Sequence, residues 1–298
     1  MKDLPKWTHE IPSIPHPLLN DAANLLTEFY KEHIQRDIEE GKLAPANCWT
    51  LLRGLLIAAM QTYASICLLL ADKRPKPLMM QASILCRAMV ETLATVLALT
   101  EKPEERALVL RREWVKMLAV KYKREYHLFG DEQKWKEYLE VSRQGLTIIL
   151  EEFGLPPEVL SDPGLIKDEW PTPGVMLWGS KKKALPSFVT GSRHAVLKEI
   201  YETHYAIQSA QAHARMAAVS IAFLVDQPEE QWNPGQGESN IVVTALLCLA
   251  CILSEIEVSG GYSSHAKLAE LWFYLRDMDD ESKDVWALRY DALVKNSS

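Results

Sequence analysis

The chain has no segment of useful length in which apolar and polar residues alternate, and it has no internal repeat. The first absence argues against a strand-built fold, the second against a solenoid. Familiar catalytic fingerprints are missing too. There is no His-Glu-x-x-His, no Gly-x-Ser-x-Gly and no dinucleotide-binding glycine pattern. This removes a zinc-peptidase helix, a hydrolase nucleophile elbow and a Rossmann phosphate turn. The stretch GQGES, from Gly235, follows no strand and lacks the lysine of a P-loop, so it reads as a turn. A basic excess is also lacking. The net charge of −7 argues against a protein that coats nucleic acid generally. No positive n-region followed by a signal-type apolar run opens the sequence, and a cytoplasmic location is expected.

Cysteine is sparse. Cys48, Cys67, Cys86, Cys248 and Cys251 all lie in apolar, helix-like contexts, and five is an odd number. Reduced core thiols are the simple reading. Cys248 and Cys251 have the spacing of half a zinc site, but no second Cys or His pair lies near them in sequence. No metal and no cofactor is expected. Long apolar runs are few. Leu51–Ala71 contains Arg53, Gln61, Thr62, Tyr63 and Ser65, and Ile241–Ile256 is shorter than the roughly 20 residues that span a bilayer. Both read as buried helices of a soluble protein, without a membrane partner.

What the sequence does hold is helix. Hydrophobic residues make up 48% and charged ones 24%, enough for a packed core. The first seventeen residues carry Pro5, Pro12, Pro15 and Pro17 and read as an extended arm. Residues 18–298 are expected to form a single α-helical domain, a bundle of about eight helices, with a core motif region over 51–225 and C-terminal helices over 239–295. The helices are placed from near Pro17–Asp21 to Glu40, then over Pro45–Asp72, Leu78–Thr100, Glu104–Leu128, a fifth ending near Phe153, His194–Val225, Ser239–Val258, Ser264–Arg276 and Asp280–Val294. Leu78–Thr100 is apolar almost all round, the mark of a surrounded helix. Residues 154–187 break the pattern with six prolines, four glycines, Trp170 and Trp178. That segment reads either as a functional or mobile loop or as a loop whose tryptophans plug the core edge.

Two helices carry a polar row. On Leu78–Thr100, Ser83, Arg87, Glu91 and Thr95 fall four apart on an otherwise apolar cylinder. Arg and Glu are rarely buried unless paired, and this spacing lets Arg87 bond Glu91; loss of one partner of such a buried pair costs about 3–5 kcal/mol. On the sixth helix Tyr201, Tyr205, Ser209 and His213 also fall four apart and share a face. The economical arrangement sets the rows against each other, with Glu91 accepting from His213, and Arg87 meeting Tyr205 or Ser209. Arg53, Gln61 and Ser65 are further candidates for the same seam. Two readings stand side by side. One is a polar network that fixes helix register. The other is a site at a cleft, with His213 as general acid or base, Arg87 as anion binder and Glu91 orienting one of them.

Arg-x-x-x-Glu on an apolar helix, a Trp/Pro loop, then Tyr-x-x-x-Tyr-x-x-x-Ser-x-x-x-His resembles an uncharacterised bacterial family of all-helical proteins, a domain of unknown function, over roughly Leu51–Val225. The resemblance implies no established activity. Its helical style is also similar to the HEPN group, which includes metal-independent ribonucleases of toxin and defence systems. Those use an Arg followed four to six residues later by His on one helix. Here no Arg precedes His213 at that distance, so Arg87 would come from another helix. The resulting expectation is a binding or regulatory component of a stress or defence system, with Ser83, Tyr201, Tyr205 and Ser209 lining a polar pocket. The alternative is a HEPN-like ribonuclease using His213 and Arg87. Arg111–His127 and Lys181–Lys183, with Trp114, Tyr122 and Tyr126 between or near the charges, offer RNA a patch or simply form a solvated face. Self-association is a further expectation.

Overall fold

The structure, a computed structural model, describes residues 48–71, 75–180, 186–205 and 235–260, together with Lys283, Val285 and Ala287. Its elements are α1 (Cys48–Ala71), α2 (Pro75–Glu101), α3 (Pro103–Phe129), α4 (Lys136–Glu152), α5 (Pro173–Trp178), α6 (Gly191–Ile200) and α7 (Gly235–Gly260). Among the described residues there is no strand, and the all-α expectation is borne out. The proline-rich arm, the helix over 21–40, the helices over 264–276 and 280–294 as wholes, and Lys181–Lys183 lie outside the described residues.

The described residues group into two compact units. One holds Trp49–Glu101 and the described residues from Thr172 onward; the other holds Cys48 and Lys102–Pro171.

In the first unit α7 packs along α2. Every residue from Ile241 to Ile256 is buried, which is why this run is apolar on all sides and shows little amphipathic contrast. Each large aliphatic side chain taken from water there contributes about 1.5–3 kcal/mol before entropy is counted. GQGES, expected as a turn, instead forms the first residues of α7. Glycine is tolerated in a first helical turn, whose N–H groups have no intrahelical partner in any case. On α1 the buried residues Leu52, Leu56, Ala59, Tyr63 and Ile66 alternate at intervals of four and three, giving one inward ridge. Two helices, Cys48–Leu70 and Gln81–Glu101, are long and apolar enough to cross a membrane; most of the second is buried within the fold.

In the second unit α3 and α4 lie together, and the segment after α4 folds back on them. Proline opens α3, where its missing N–H costs nothing. At the other end of the hairpin Gly154 takes φ 59°, and the Leu155 N–H donates to the Leu150 carbonyl at 2.8 Å. This is a Schellman stop, and it turns the chain so that Val159 and Ile166 join Val115, Ala119, Leu150 and Phe153 in one core. The 154–187 segment is therefore not a plain loop. It forms 3₁₀ turns at Pro157–Leu160 and Pro163–Leu165 and the helix α5. The Trp170 N–H donates to Glu113 at 2.7 Å, and Arg112 sits 3.8 Å from Asp168, holding the segment on α3.

All five cysteines are buried and none is joined in a disulfide. Burial pushes the Cys248 thiol well above its ordinary range, raises Cys67 and lifts Cys48 to about 12, the nearby Arg111 only partly offsetting the last. The thiolate is the reactive form. An aromatic disulfide reagent at pH 8 should accordingly titrate almost no thiol in the native protein and all five after unfolding in guanidinium.

Candidate functional site

The first unit places Arg87 and Glu91 on successive turns of α2, and the Arg87 Nε donates to Glu91 Oε1 at 3.0 Å. The Tyr205 hydroxyl donates to the same oxygen at 3.1 Å. The Arg87 guanidinium carbon also lies 5.5 Å from the centre of the Tyr205 ring, within cation–π range. One carboxylate thus joins two helical segments separated by more than a hundred residues. Thr95, next along the row, turns its hydroxyl back to the Glu91 carbonyl at 2.9 Å, and Ser83 is buried two turns before Glu91.

Tyr205 reaches this point from a π-helical turn, Tyr201–Tyr205, that continues α6. A straight α-helix over His194–Val225 was the sequence expectation; the described part is α-helical only to Ile200. Such wide turns are rare and often accompany functional sites. This one brings Tyr201 and Tyr205 into a stack with centroids 4.6 Å apart and planes at 23°. Trp178, at the end of α5, meets Tyr201 edge-on at 5.1 Å and is 54% exposed. Gly174 makes room for the ladder, since a Cβ there would sit 3.1 Å from the Tyr201 hydroxyl.

Burial opposes the Arg87 charge, but its hydrogen bond to Glu91 and the neighbouring Tyr205 outweigh that, and the guanidinium pKa lies above its usual value. Burial and then the Glu91 charge push the Tyr205 phenol up as well, so it stays a hydrogen-bond donor at neutral pH. The arrangement holds a cation, an anion and a π-face together, the two charged groups partly exposed to solvent. The Arg87 and Glu91 side chains are 23% and 44% exposed. The pair is therefore half-solvated rather than deeply buried, and the 3–5 kcal/mol expected for breaking it falls toward the value for exposed pairs.

Of the sequence candidates, the structure brings together Arg87, Glu91, Tyr201 and Tyr205. Ser209 and His213 lie outside the described residues. Gln61 and Ser65 are exposed on α1, where Ser65 bonds back to the Gln61 carbonyl at 2.9 Å. Within Arg111–His127, Arg112 and Lys121 already have the acidic neighbours Asp168 and Glu125.

A second polar cluster escaped the sequence reading. Glu255 on α7 is almost fully buried and accepts from Thr100 at 2.7 Å and from the Arg193 Nε at 2.6 Å. Arg193 also lies 4.0 Å from Glu101, whose carboxylate accepts from the backbone N–H and hydroxyl of Thr190 just before α6. The signal was available: Glu255 is the single charged residue in the run from Ile241 to Ile256.

The model of a family described as Family of unknown function (DUF5677) matches residues 50–231. Arg87, Glu91, Tyr201 and Tyr205 all fall inside that span, and the resemblance to an uncharacterised family is borne out. No curated protein and no solved structure matches the chain.

Two substitutions separate the clusters. Arg193→Met, which takes a counter-charge from the buried Glu255 carboxylate, should lower unfolding stability by about 3 kcal/mol; Arg87→Met, beside a half-exposed carboxylate, should lower it by about 1 kcal/mol. Denaturant unfolding followed by circular dichroism checks the order. Gly174→Ala should keep the fold while altering the near-ultraviolet signal of the stacked rings.

Proposed function

The chain belongs to this family of unknown function, and we propose that it works by binding a small polar molecule at the Arg87–Glu91–Tyr205 seam. The observation that carries this reading is the half-exposed Glu91 carboxylate, shared by Arg87 and Tyr205 and placed at the end of an aromatic ladder. Ladders of this kind favour ligands with a planar ring, which gains from an exposed π-face such as Trp178. The adjoining charged pair then fixes the ring's polar edge. Binding sites combine an apolar wall with a few convergent polar groups in this manner.

The cellular setting we propose is a regulatory component of a bacterial stress or defence system, acting in the cytoplasm. Its support is the likeness of helical style to the HEPN group and not any group positioned to cleave a phosphodiester. Ser83 and Ser209 are the further hydroxyls proposed to line the seam, with His213 the candidate to complete it.

The test uses the full chain and a panel of nucleosides and nucleotides in a thermal-shift assay. A nucleotide that raises the midpoint of the wild type should fail to do so with Arg87→Met/Glu91→Leu, a pair chosen because removing both partners leaves no orphaned charge. The loss of affinity should be on the order of tenfold, which is about 1.4 kcal/mol. Equal stabilisation of the folded double variant would place the ligand elsewhere. EDTA-resistant cleavage of RNA that disappears in a folded His213→Ala variant would replace binding with catalysis.

A further inference from the structure

The helices of the second unit carry two matching stripes on their outer surfaces. On α3, Trp114, Met117, Lys121, Arg124 and Leu128 are exposed at intervals of 3, 4, 3 and 4. On α4, Tyr138, Val141, Gly145, Ile148 and Glu152 are exposed at the same intervals. This is the spacing by which two helices pack along each other. Neither stripe contributes to the unit's own core, which is built from Val115, Ala119, Leu150 and their neighbours; of the stripe residues, Tyr138 also donates to Glu125 at 3.1 Å and meets Trp135 edge-on. The large apolar members remain between 43% and 65% exposed. Scattered single exposures are ordinary, but two heptad-spaced series are not scattered.

The stripes are also complementary in charge. Lys121 and Arg124 lie within the α3 series, and Lys123 borders it. The α4 series ends on Glu152, and along that helix Glu137, Glu140, Glu151 and Glu152 outnumber Lys136 and Arg143. Gly145 adds an independent observation. It sits inside a helix, where glycine is weaker than alanine, and a Cβ at that position would meet nothing in the protein. The chain's own packing gives no reason for it. A partner helix does. Lys121 is the middle member of one series and Gly145 the middle member of the other, so the two meet whichever way paired helices run. The lysine stem can then cross bare backbone while its ammonium keeps Glu125 of its own helix at 3.7 Å.

We infer that α3 of one copy packs against α4 of a second copy of this chain, the basic-apolar stripe on the acidic-apolar one. Each copy carries both halves, so the contact is self-complementary at the level of the protein. The occupant is a second copy because the same molecule supplies the opposite charges at the same helical spacing.

Sedimentation velocity on the full chain, from low micromolar concentration upward, tests this. The wild type should self-associate, and less strongly as sodium chloride is raised. Met117→Asp and Ile148→Asp alter exposed side chains, so each should keep its circular dichroism and melting temperature while its dissociation constant rises tenfold or more. Mixing these two variants should restore part of the association, because one intact α3–α4 pair remains available; pairing of like helices would not be restored. Gly145→Leu should weaken association without lowering the melting temperature. A wild type that stays monomeric throughout overturns the inference, including one that instead binds phosphatidylserine vesicles or single-stranded RNA through the basic stripe. So does association that is unchanged in both aspartate variants, or a mixture that associates no better than its components.

Discussion

The constraint on which the first unit depends is the removal of one carboxylate from water. Glu255 sits in a helix that is apolar on every side, and an unpaired charge there would be intolerable. Its partners come from the end of α2 and the start of α6, so satisfying it fixes both elements relative to α7. The Glu101 carboxylate, occupied by Thr190, closes the same corner from the other side. Apolar packing alone tolerates a helix that slides or rotates by a residue; a carboxylate with two directional donors does not. The positions of Arg87 and Glu91 on α2, and of Tyr205 in the π turn that continues α6, inherit that register.

Much of the fold was legible in the sequence because helix signals are local. The Arg87–Glu91 spacing, Pro103 at a helix start and the stop after Phe153 each depend on a few neighbouring residues, and each appears within a residue or two of its expected place. The Arg87–Glu91 bond was readable for the same reason, since both partners lie one turn apart on one helix. Tyr205 was expected against Arg87; it meets that guanidinium with its ring and gives its hydroxyl to Glu91. What spacing could not give was the solvation of that pair. Exposure depends on which elements arrive from distant parts of the chain, and a polar row looks alike whether it lies under a neighbouring helix or at its edge.

Three features were less legible. The π turn at Tyr201–Tyr205 has no periodic signature, because the four-residue interval of its tyrosines fits an α-helix just as well. The segment over 154–187 was dense in proline and glycine, which signals a break in helix but not the short 3₁₀ turns that replace it. The Arg193–Glu255 pair joins residues 62 positions apart, beyond any local pattern. Only the oddity of a lone acid in the run from Ile241 to Ile256 pointed to it.

The Thr100–Glu255 bond has a consequence for biosynthesis. Thr100 and Glu255 are 155 positions apart, so α2 must wait for the far partner to leave the ribosome. At roughly 5–20 residues per second the interval is roughly 8–30 s, long on the scale of helix formation and collapse. During it the apolar flank that α7 later covers faces water or whatever holds nascent chains. An apolar face left open for that long favours aggregation, so a codon-speed change between the two sites would act on the yield of folded chain rather than on its finished form.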